Sequence, residues 1–139
     1  MSSIIEKQIQ QIRQVRSLRV RASMQAQAKC MQEVQLLNAN IESAQNNVRE
    51  VEQNAITFQR DSLSRLLGGS LVGVESLKDF NARKLQGIKN VADAKQEVME
   101  ISNSRAVASK QLSVCAEVTR AAEKRLLGIE EVISEKLWK

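Results

Sequence analysis

At 139 residues the chain could hold one ordinary domain, but its composition excludes a conventional globular core. Aromatic residues make up 2%, and Tyr and Pro are absent, so little bulk is available to bury per residue. The formal net charge of +5 points to acidic partners. The absence of His removes the commonest general base and a common metal ligand. The carboxylates are dispersed along polar stretches, so neither an enzyme nor a cofactor is expected.

The N-terminal residues Met1-Ser2-Ser3-Ile4-Ile5-Glu6-Lys7 lack a secretory core, and no apolar run approaches the roughly 18 residues that span a bilayer. A cytoplasmic chain without direct membrane insertion is the expectation. A first helix is predicted over about 4–67, because helix formers dominate and Gly is missing from this stretch until Gly68. Its opening turns carry Ile5, Ile9 and Ile12. Arg13, Arg16, Arg19 and Arg21 then crowd Val15, Leu18 and Val20, which reads as a stutter in the pattern. From Cys30 a strict alternation of four and three follows through Val34, Leu37, Ile41, Ala44, Val48, Val51, Ala55 and Phe58. That spacing is the seam of one helix packed on another.

Three of the five glycines fall at Gly68, Gly69 and Gly73, which predicts a chain reversal over 68–73. A second helix is predicted over about 74–137, with Ser76 as N-cap and Asp79 three residues on at the positive end of the helix dipole. Its stripe runs through Val91, Ala94, Val98, Ile101, Arg105, Ala108, Leu112, Cys115, Thr119, Ala122, Leu126, Ile129, Ile133 and Leu137. Arg105 and Thr119 are its polar positions, of the kind that fix register.

The fold class is therefore all-α, a single antiparallel coiled-coil hairpin of two long helices. With the turn centred near Ser70 and Leu71, facing residues should have numbers that sum to 141 or 142. The pairs 41/101, 44/98, 48/94 and 51/91 meet this, as does 12/129. Cys30 then lies level with Leu112, one turn from Cys115, an offset that does not favour a disulfide. A hairpin that buries its seams within one chain is expected to be a monomer.

Three features stand out as candidate contact sites. Residues 1–30 hold six cations against Glu6 alone, a net of +5 that equals the excess of the whole chain. The hairpin register adds Arg120, Lys124 and Arg125 to Arg13, Arg16, Arg19 and Arg21, gathering like charge from both arms into one belt suited to an acidic partner. Nucleic acid is not the expected partner, because the belt lacks interleaved aromatics. Around the turn, Leu71, Val72, Val74, Leu77 and Phe80 are more apolar than a merely soluble turn requires, while Leu66, Leu67 and Leu77 could also serve to close the end of the pair. Trp138, the single Trp, is a third candidate, either leaning on Ile5 or Ile9 or free to anchor a partner.

The paired stripes, the reversal over Gly68–Gly73 and the N-terminal arginines together resemble the central stalk proteins of type III secretion systems, the YscO and flagellar FliJ group. The resemblance lies in architecture over the whole chain. It implies a non-enzymatic shaft at the inner-membrane secretion apparatus, docking its open end in a hexameric export ATPase. In that picture Arg13, Arg16, Arg19, Arg21, Arg120, Lys124 and Arg125 meet the ATPase. Leu71, Val72, Val74, Leu77 and Phe80 meet a membrane export gate protein, with secretion chaperones as further partners. The alternative reading is a coiled-coil scaffold or secretion chaperone that works by oligomerising.

Overall fold

In the computed structural model the described backbone covers residues 2–68 and 73–138, and the described side chains cover residues 3–68 and 73–135. Helix α1 spans Ser2–Gly68 and helix α2 spans Val74–Trp138. Their lengths of 67 and 65 residues follow from the absence of Pro and the confinement of Gly. The two helices pack against each other as an all-α hairpin. Residues 69–72, including Leu71 and Val72, lie outside the described residues.

Helix α2 begins two residues earlier than Ser76. The Leu77 N–H donates to the Gly73 carbonyl at 3.3 Å, which puts Gly73 at the N-cap position. Ser76 therefore sits within the first turn, where Glu75 supplies the favourable negative charge. Asp79 instead pairs with Arg83 one turn on, at 3.3 Å.

The chain contacts divide into two units, Met1–Leu36 with Arg105–Lys139, and Leu37–Ser104. In the second unit every expected seam residue, from Leu37 to Phe58 on α1 and from Val91 to Ile101 on α2, is at least half-buried. Ala44 and Ala94 are buried outright. A Cβ at Gly87 would stand 3.6 Å from that of Ala55, a pair that again sums to 142. Glu52 and Lys95 flank the seam at 3.4 Å, and Phe58 stacks on Phe80 with ring centroids 6.0 Å apart.

In the first unit α2 keeps the predicted stripe, with Ala108, Thr119 and Ile129 buried and Arg105 exposed. The Thr119 hydroxyl donates to the Cys115 carbonyl at 2.9 Å, so its burial leaves no hydrogen-bonding group stranded. Helix α1 departs from the expected stutter. Besides Ile9 and the flanking Ser17, its half-buried positions run Arg16, Val20, Ser23, Gln27, Cys30 and on to buried Val34, an unbroken alternation of four and three. The seam continues, but polar residues occupy it. Ile12 is exposed rather than packed on Ile129, and Arg13, which the spacing puts level with Ile129, is exposed as well.

The cysteines also differ from expectation, because their sulfurs lie 3.4 Å apart. Side chains on a helix lean toward its N-terminus. In an antiparallel pair two residues whose numbers sum to slightly more than 142 therefore lean toward each other. Cys30 and Cys115, which sum to 145, close the one-turn offset in this way.

Candidate functional site: the basic half of the hairpin

The unit that holds both chain ends brings six of the seven predicted belt cations into two kinds of environment, with Arg13 between them. Arg16 is half-buried on the seam, and its Nη1 donates to the Arg125 carbonyl at 2.7 Å. This contact ties the arms at the register that pairs 16 with 125. Arg13 reaches Glu130 across the pair at 3.9 Å, both side chains being nearly half exposed, an ion pair of modest worth. Arg19, Arg21, Arg120, Lys124 and Arg125 are exposed. Among the described residues none of these five has a carboxylate within salt-bridge distance.

Counted in heptads along the unbroken seam, Arg19 and Arg125 fall on one flank, opposite the half-buried Ser17, Ala116 and Glu130. Arg21, Arg120 and Lys124 fall on the outward faces. The cations thus surround the helix pair instead of lining one side.

The sequence reading missed the apolar part of this surface. Ile12, Val15 and Leu18 are 43%, 47% and 54% exposed, whereas Arg16 and Val20 are the half-buried seam positions of this stretch. Ile12 and Val15 line a shallow groove with Gln8, Gln11, Arg16 and Arg19. The signal was present: extending the 4/3 spacing backward from Cys30 leads to Gln27, Ser23, Val20, Arg16 and Arg13.

In the other unit the turn-proximal side chains divide. Val74 is 68% exposed and Leu77 also faces solvent, whereas Phe80 is half-buried against Phe58. Leu66 is half-buried and closes the pair, but Leu67, 85% exposed, does not. Leu71 and Val72 lie outside the described residues, as does the Trp138 side chain.

Among the described residues no group of three or more His, Cys, Asp or Glu converges to hold a metal ion. No described helix is long and apolar enough to cross a membrane. The class defined by these observations is an all-α helical hairpin with a basic, partly apolar surface on the unit carrying its chain ends. No family model, curated protein or solved structure matches the chain.

Proposed function

We propose that the chain is the non-enzymatic central stalk of a type III secretion system, entering a hexameric export ATPase with the basic end of the hairpin. The observation that supports this most is the belt of exposed Arg19, Arg21, Arg120, Lys124 and Arg125, interleaved with solvent-facing Ile12, Val15 and Leu18. Like charges drawn together from two helices repel one another, a cost that a complementary acidic lining offsets on binding. The apolar side chains between them add area that gains from being covered. A pair of helices so placed biases the states of the surrounding subunits through differential contacts, with no chemistry on its own residues.

At the other end, exposed Leu67, Val74 and Leu77, with Leu71 and Val72, would meet the export gate, and Phe80 would hold that surface in place through its stack on Phe58. The location is then cytoplasmic, beside the inner-membrane apparatus.

The test is a pull-down of purified export ATPase by wild type and by the variant Arg19→Glu, Arg21→Glu, Arg120→Glu. These positions have no interhelix partner among the described residues, so helicity should be kept while capture of the ATPase is lost. Capture undiminished by the reversal, or absent for wild type, overturns the reading.

A further inference from the structure

The only two thiols of the chain are brought together across the hairpin. Cys30 on α1 and Cys115 on α2 are 85 positions apart in sequence, yet their sulfurs are 3.4 Å apart and both residues are half-buried. A sulfur–sulfur bond is about 2.05 Å long, so bond formation requires roughly 1.4 Å of approach between side chains that lean toward each other.

We infer that Cys30 and Cys115 form a site of reversible oxidative modification, a disulfide that staples the two helices of one chain together. Both are free thiols as the structure stands, so the oxidant must come from outside, and hydrogen peroxide is sufficient. One thiolate attacks a peroxide oxygen, breaking the O–O bond to give a sulfenic acid and hydroxide, which takes up the proton lost by the thiol. The second thiol attacks the sulfenic sulfur. The S–S bond forms as the S–O bond breaks, and the oxygen leaves as a second water. Two thiols are oxidised, one peroxide is reduced, and a dithiol reductant reverses the result.

The hydrogen bond to Cys115, desolvation and the nearby Glu33 carboxylate raise the Cys30 pKa above the ordinary thiol value of 9.0, which keeps its thiolate scarce at neutral pH and makes its oxidation slow there. Toward the N-terminus the next seam positions on α1 are polar, Gln27 and Ser23, with Thr119 on the facing helix. The cross-link would therefore reinforce a seam stretch that polar side chains occupy.

The experiment is oxidation of the full-length chain by hydrogen peroxide at low micromolar protein concentration, followed by intact mass, thiol titration and non-reducing electrophoresis. The expected product is a monomer lighter by two hydrogens, with both thiols lost, helicity retained, faster migration and full reversal by dithiothreitol. Cys30→Ser and Cys115→Ser each abolish the fast-migrating band. Interchain dimers as the main product, thiols that survive while the chain stays helical, or oxidation that stops at sulfinic acid would each overturn the inference.

Discussion

Cys30 links a single side chain to a measurable pH response. Its folded-state pKa lies above the ordinary thiol value of 9.0, chiefly through the hydrogen bond to Cys115, so the protonated thiol is favoured by the fold. The stability this contributes is fully present below pH 9 and is lost as pH rises through the raised folded value. Urea melts of reduced protein should show wild type losing stability above pH 9 more steeply than Cys30→Ala. Gly87 offers a second residue-scale test. It lies inside α2, where Gly costs about 1 kcal/mol relative to Ala, and a new Cβ would make an ordinary contact with Ala55 at 3.6 Å. Gly87→Ala should raise the urea midpoint by an amount equivalent to about 1 kcal/mol. Gly128→Ala, where nothing lies within 4 Å, should gain from propensity alone.

At the scale of the element, the seam carries the pairing energy, and it is only partly closed. Leu37 and Ile101 are half-buried, so Leu37→Ala or Ile101→Ala should cost roughly 1–3 kcal/mol, the low side of the range for buried aliphatics. Leu36→Ala, at an exposed neighbouring position, should change stability by less than about 0.5 kcal/mol. Thermal or urea unfolding followed by circular dichroism separates the two cases. Helix α2 was legible almost residue by residue, because Val91 to Ile133 keeps small or apolar side chains at nearly every seam level. The first thirty residues of α1 were less so. There the pairing is specified by spacing while polarity says otherwise: Arg16, Ser23 and Gln27 sit on the seam, and Ile12, Val15 and Leu18 face water. The helix partner supports this register, since α2 keeps a buried or half-buried stripe from Ala108 to Ile133 that α1 follows. Hydrophobicity alone pointed to a stutter for that reason. The start of α2 at Val74 was legible, but its N-cap was misplaced by three residues, because the Gly73 carbonyl, which accepts the first helical bond, carries no side-chain signature, whereas Ser76 does.

For the whole molecule, the pairing of two long helices and the register summing to 142 were legible because two independent stripes had to agree. The basic belt was legible as composition, but its mixture with exposed aliphatics required knowledge of which residues the seam excludes. The proposed stalk role and the oxidative staple both require that the arms pair within one chain.

That requirement is tested most directly by spin labels at Glu52→Cys and Lys95→Cys in a Cys30→Ser, Cys115→Ser background, with the label–label distance measured by pulsed electron resonance. The native side chains meet at 3.4 Å, and paired helices run roughly 8–10 Å apart. A distance below about 20 Å is expected, unchanged when labelled chains are refolded with an excess of unlabelled ones. A short distance that disappears on such dilution, or one never seen at all, would contradict the account.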